Sequence, residues 1–109
     1  MADVIKVLGQ LAAAATTTET LYTVPNLAQT TTSSLVICNR TVGVLTYRVS
    51  IHVEGAGDDD KQYLYYDKTL AANESFSAVL GMTLGQSDVV KTYASDVGLT
   101  FTLFGVETS

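Results

Sequence analysis

The side chains most able to act as a nucleophile or base are the single histidine, His52, and the single cysteine, Cys38. A Ser-His-Asp or Cys-His hydrolase needs an imidazole beside a nucleophile and an orienting acid. The alternation of the surrounding segment places His52 on its polar face, whereas Cys38 ends an apolar run, where a buried thiol is an inert small hydrophobe. The sequence contains no GxSxG, HExxH, CxxC or glycine-rich phosphate motif. We therefore predict no catalytic residues and no enzymatic activity.

Three consecutive aspartates at residues 58–60 could supply oxygen ligands to calcium, with Glu54 or Asp67 brought near them by a hairpin. An EF-hand places its ligands at alternate positions and ends with a glutamate, and this spacing is absent. A solvated hairpin tip accounts for the aspartates. We predict that the protein binds no metal and no cofactor, so a chelator should leave its melting curve unchanged.

A tyrosine cluster, Tyr63, Tyr65 and Tyr66, resembles the aromatic surfaces that contact sugars or protein partners. Strand alternation would place Tyr63 and Tyr65 on one face and Tyr66 on the other. Two of the three tyrosines therefore have two interpretations: contacts of a surface binding site for a ligand such as a host-surface glycan, or packing in the core or between two sheets.

The charge balance disfavours nucleic acid as a partner. Six basic and eleven acidic residues give a formal charge of −5, and no basic run is present to neutralise phosphates. No apolar stretch reaches the ~20 residues that span a bilayer, and the N-terminus lacks an apolar run of signal-peptide length. The single cysteine excludes an internal disulfide, and the sequence favours synthesis in the cytoplasm.

Short strands must position these residues, because turn signals recur every 8 to 12 residues and no window has sustained helical periodicity. The clearest strand covers residues 45–53, where odd-numbered apolar residues alternate with polar ones that include Ser50 and His52. Other strands are predicted over residues 21–24, 35–38, 62–67, 75–80, 88–95 and 99–106, with a polar loop over 26–34. This spacing predicts an all-β antiparallel sandwich of about seven or eight strands.

The N-terminal segment does not fit a simple sandwich of these strands. Its apolar residues are separated from the regular strands by an Ala/Thr-rich stretch, so residues 1–20 are predicted as an extended arm and linker and residues 21–109 as the sandwich domain. We expect the arm to dock either as an extra strand on its own sheet or on a neighbouring chain by strand addition. The candidate assembly residues are Val4, Ile5, Val7 and Leu8.

Five segments resemble small structural proteins of tailed-bacteriophage virions, and the likeness spans nearly the whole chain. They are strand and turn sequences: residues 1–10 (MADVIKVLGQ), 21–25 (LYTVP), 34–40 (SLVICNR), 63–67 (YLYYD) and 103–107 (LFGVE). The resemblance implies an immunoglobulin-like β-sandwich present in many copies on heads, necks, tails or fibres. A jelly-roll-like sandwich is the other topology that we consider.

The resulting functional prediction is a non-enzymatic virion component, synthesised in the bacterial host, that forms a symmetric homo-oligomer or binds other virion proteins. No nucleic acid or membrane is expected as a partner. The alternative prediction is a carbohydrate-binding or host-surface adhesion module that uses the tyrosine cluster and the acidic loop, which covers residues 55–61.

Overall fold

A computed structural model describes residues 3–109, so residues 1 and 2 of the predicted arm lie outside the described part. Within it the chain forms nine strands, and the only helical segments there are single 3₁₀ turns at Val53–Gly55 and Asp60–Gln62. The strands are β1 (Asp3–Ala12), β2 (Thr18–Thr23), β3 (Gln29–Asn39), β4 (Leu45–His52), β5 (Tyr63–Leu70), β6 (Ser75–Ala78), β7 (Thr83–Leu84), β8 (Val89–Ala94) and β9 (Leu99–Thr108).

The strands form two antiparallel sheets that pack together as a sandwich, which confirms the predicted fold class. Sheet A has the order β1-β9-β3-β6, with β7 also pairing with β3, and sheet B has the order β2-β8-β4-β5. If β6 and β7 are counted as one interrupted edge strand, each sheet has four strands. In an immunoglobulin domain the first strand pairs with the second. Here β1 pairs with the last strand, β9, and the order is that of the jelly roll.

The core lies between the sheets and consists of the alternate residues that each strand directs inward. On β9 these are Leu99, Phe101 and Leu103, which are completely buried, as the alternation in the sequence predicts. From β4, Tyr47 and Val49 face them across the sandwich and are also buried. Burying such apolar surface is the main favourable term in folding, at ~25 cal/mol per Å².

Two segments predicted as irregular belong to strands. Part of the predicted loop over residues 26–34 forms the first half of β3, because its threonines pair with β9 on one side and with β7 on the other. In the predicted arm, residues 3–12 form β1, which pairs with β9 of the same chain. The described part of the segment therefore takes the first of the two docking alternatives. Leu8 is buried in the core, whereas Val4, Ile5 and Val7 are exposed.

One buried hydroxyl has no hydrogen-bond partner in the described part of the chain, namely Oγ1 of Thr92 on β8. A buried polar group without a partner lowers stability. We expect Thr92→Val to raise the free energy of unfolding by about 1 kcal/mol. The matched control is Thr30→Val, because Oγ1 of Thr30 hydrogen-bonds to the Tyr22 hydroxyl at 2.8 Å. That change should lower stability in urea unfolding, and a loss of stability in Thr92→Val would contradict the expectation.

Candidate functional site

The predicted position of His52 on a solvent-exposed face is wrong. The even-numbered residues of β4 do face away from the core, but Ser50 is only 5% exposed and His52 only 2%. The reason is that residues 53–62 fold back over this end of sheet B, where the carbonyl of Ala56 lies 2.9 Å from Nδ1 of His52. Ser50→Asp would be tolerated on a solvent-exposed face. At this buried position it would place a carboxylate away from water, which lowers the stability of the fold.

The folded-back segment brings a serine, a histidine and an aspartate together. Nε2 of His52 lies 2.9 Å from Oγ of Ser50, and Nδ1 lies 3.9 Å from Oδ1 of Asp58. The arrangement of Ser50, His52 and Asp58 resembles the nucleophile, base and acid of a catalytic triad. However, Ser50 is buried, and the closer partner of Nδ1 is the Ala56 carbonyl. The contacts of His52 with Ala56 and Asp58 connect the segment to sheet B, and we assign them a structural role.

The outer face of sheet B carries an aromatic and arginine cluster, defined as Arg48, Tyr63, Tyr66, Asp67 and Tyr93. The guanidinium of Arg48 lies 4.2 Å from the ring centre of Tyr66 and 4.3 Å from that of Tyr93. Arg48 also donates to both carboxylate oxygens of Asp67, at 2.7 and 3.3 Å. The hydrogen bond to Asp67 raises the pKa of Arg48. Cation–π stacking and a bidentate ion pair together hold Arg48 in one orientation.

Irregular strand pairing assembles this cluster. Tyr47 pairs with Lys68 and Val49 with Tyr65, so Tyr66 and Asp67 both lie opposite Arg48 as a β-bulge. A second shift places Tyr63 opposite Ser50 and leaves Leu64 unpaired. Strict alternation predicted Tyr63 and Tyr65 on one face of the sheet and Tyr66 on the other. That prediction is wrong, because Tyr63 and Tyr66 share the outer face.

The predicted tyrosine site is therefore divided between the surface and the core. Tyr65 turns inward and contacts Tyr47 and Phe76 edge to face, with ring centres 6.0 and 5.9 Å apart. Tyr63 and Tyr66 meet on the outer face at 4.8 Å. With Asp60 they line an open cleft of about 330 Å³. A cleft with two aromatic rings and a carboxylate could stack against a sugar ring and accept hydrogen bonds from its hydroxyls.

The three aspartates of the acidic loop have separate environments. Asp58 lies near His52, Asp59 caps the turn at Asp60–Gln62 with its side chain, and Asp60 lines the cleft with Tyr63. Among residues 3–109 no group of three or more histidine, cysteine, aspartate or glutamate side chains is arranged to hold a metal ion.

The outer face of sheet A differs from that of sheet B in charge. Register and burial assign it the outward residues of β1, β9, β3, β6 and β7, which are threonine, serine, glutamine, cysteine and apolar residues, with Asp3 as the single charged side chain among those described. An open depression of about 480 Å³ on this face is lined by Ile5, Ser34, Phe104 and Val106, and also by Lys6, whose register position belongs to the other face. Cys38 is half-buried on the same face rather than enclosed in the core.

A polar network links both sheets at the β1 end of the sandwich. The hydroxyl of Tyr22 donates to Glu107 at 2.5 Å, and Nζ of Lys6 donates to the same carboxylate at 3.3 Å. Burial, and next the hydrogen bond to Glu107, raise the pKa of Tyr22 to about 12. The Tyr22 hydrogen bond in turn lowers the pKa of Glu107.

The raised pKa of Tyr22 predicts a loss of stability in alkali. Because the folded state favours the neutral phenol, its contribution is present below the ordinary tyrosine pKa of about 10 and is lost as pH rises through about 12. Tyr22→Phe should therefore lose less unfolding free energy than the parent protein over this interval. Urea unfolding at several alkaline pH values measures the difference, and parallel curves for the two proteins would contradict the assignment.

The fold defines a class, the jelly-roll β-sandwich, with one nearly uncharged outer face and one that carries an aromatic cluster. The chain matches no protein-family model and no curated protein. Within the described residues, no helix has the length and hydropathy needed to cross a membrane.

Proposed function

We propose that this protein is a non-enzymatic structural component of a tailed-bacteriophage virion, present in many copies and assembled with itself or with a larger capsid or tail protein. The observation that supports assembly is the nearly uncharged outer face of sheet A together with the exposed apolar side chains of β1. The sequence resemblance described above supplies the virion class.

The charge distribution favours an assembly role for sheet A. The chain carries a formal charge of −5, yet the outer face of sheet A holds only Asp3 among its described charged residues. Faces that stay in water usually carry interspersed charges. An uncharged face lets acidic subunits approach each other with little repulsion.

Immunogold electron microscopy on phage particles purified from the source of the sequence tests the virion assignment. An antibody against this chain should label intact particles at regular positions, and label on head, neck, tail or fibre would identify its place. Purified chain should also form oligomers in light scattering as its concentration rises. Unlabelled particles that lack the chain in mass spectrometry would refute the proposal.

A carbohydrate-binding or host-surface adhesion module is the second candidate, supported by the cleft of Asp60, Tyr63 and Tyr66. A glycan array followed by NMR titration tests it. Tyr66→Ala should abolish binding, because it removes one stacking surface, whereas Val79→Ala at an exposed position elsewhere should leave it unchanged. A full array without a bound glycan would remove this candidate.

A further inference from the structure

Within residues 3–109, the first strand of sheet A has one unpaired edge. β1 pairs with β9 on one side, and residues 3–7 are all exposed. An edge strand presents a row of backbone N–H and C=O groups that can pair with another chain. The register shifts between Val7 and Gly9, and beyond this bulge Gly9 packs against the backbone of Leu21. A straight segment of five residues is therefore available.

We propose that a second copy of this chain occupies this edge, with the two β1 strands antiparallel over residues 3–7 and a two-fold axis at Ile5. The inference rests on the proposed function as an assembling subunit and names one contact of that assembly. The two copies would form one continuous sheet in the order β6-β3-β9-β1 and then β1-β9-β3-β6 of the partner. Such a contact is isologous, so each copy uses the same residues.

Symmetry restricts the register. A two-fold axis perpendicular to the sheet keeps both outer faces on the same side, so Ile5 lies opposite the partner's Ile5 and Asp3 opposite the partner's Val7. An axis at Lys6 would set two lysines directly opposite each other, which is unfavourable, and would extend the pairing past the bulge. An axis at Val4 pairs only residues 3–5 of the described chain. The axis at Ile5 is the register that pairs all five.

The side chains nearest this axis on the outer face are apolar. Ile5 is 86% exposed and lies on the outer face beside Val106, while Val7 lies beside Phe104. Pairing would bring these apolar side chains next to those of the partner and shield both sets from water. The charge of Lys6 is already paired with Glu107 at 3.3 Å. The contact therefore adds apolar burial without bringing unpaired like charges together.

The expected contact is weak in isolation. Stable interfaces bury roughly 800 Å² per partner, and a five-residue strand with a few apolar side chains covers less. In a particle with many copies, repeated weak contacts act together through high effective concentration. The test must therefore trap the pair as well as measure its equilibrium.

Cysteine cross-linking in the full chain tests the register. With Cys38→Ser as background, Ile5→Cys places two thiols at directly opposite positions, whose Cα separation of about 4.5 to 5.5 Å suits a disulfide. Mild oxidation should convert most of this variant to a covalent dimer on a non-reducing gel. Gln10→Cys, on the same strand and face beyond the bulge, and Val42→Cys, at a 90% exposed turn position, should remain mostly monomeric. Equal cross-linking of all three, or none at residue 5, overturns the proposal.

A charge substitution provides an independent measurement. Ile5→Lys should keep the circular dichroism spectrum and melting temperature of the parent, because the side chain is exposed, but should lose concentration-dependent dimer in light scattering. Val42→Lys should retain the dimer. If the parent chain associates while Ile5→Lys associates equally, this contact is wrong and the assembly function stands. If particles contain none of the chain, the proposed function fails independently of the cross-linking result.

Discussion

Deletion of residues 2–10 is expected to remove most of the stability of the folded domain. The deletion takes away nearly all of β1, exposes the backbone edge of β9 and removes the buried side chain of Leu8 from the core. Burial of a leucine alone contributes ~2 to 5 kcal/mol, a large share of the ~5 to 15 kcal/mol that holds a domain together. A thermal scan should show a melting temperature far below that of the parent, or no cooperative transition.

A matched variant separates the strand from its exposed side chains. Replacing Val4, Ile5 and Val7 together by threonine keeps β-branched residues and the pairing with β9, and none of the three side chains belongs to the buried core. This variant should melt close to the parent. A deletion variant that retained the parent's melting temperature would show that β1 is dispensable to the fold, as a strand donated to a neighbouring chain would be.

Phe101→Ala is expected to lower the free energy of unfolding by about 3 to 5 kcal/mol. Phe101 is completely buried between the sheets, where it lies on the central strand β9 and pairs with Leu11 and Ile37 on its two sides. Truncation removes the free energy gained by transferring the ring from water to the core. It also leaves a cavity that the close-packed neighbours fill only in part. Urea unfolding at equilibrium measures the change.

Phe104→Ala is the control for this prediction, because it removes the same atoms from the same strand on the opposite face. Phe104 is half-buried on the outer face of sheet A, so the loss should be well below that of Phe101→Ala. If both variants lost the same free energy of unfolding, Phe101 and Phe104 would be equally buried. The assignment of opposite faces to these two residues of β9 would then be wrong.

Local alternation in the sequence was sufficient to predict several strands and their buried faces. The segments 45–53 and 99–106 correspond to β4 and β9, and the inward residues from Tyr47 to Val49 and from Leu99 to Leu103 are buried as predicted. The period of two is a property of the extended backbone, so it can be read without knowledge of any distant residue. The all-β sandwich follows from the same local signals.

The candidate sites depended on contacts that no local pattern contains. His52 is buried because a segment beyond its own strand folds back over it, and Tyr63 meets Tyr66 because bulges interrupt the pairing of β4 with β5. The choice between a strand in the same sheet and an arm on a neighbour was likewise open in the sequence, since apolar residues 4–8 suit both.

The sequence by itself therefore determined the fold class and the core residues of the clearest strands, because polar and apolar residues alternate along those strands. Only the tertiary structure decided that β1 pairs with β9, that the strand order is a jelly roll and that the charged residues are concentrated away from the outer face of sheet A. These features arise from register and from pairing between residues far apart in the chain. The free energy that favours this register and strand order comes from contacts across the whole domain, so no single segment of the sequence reveals it.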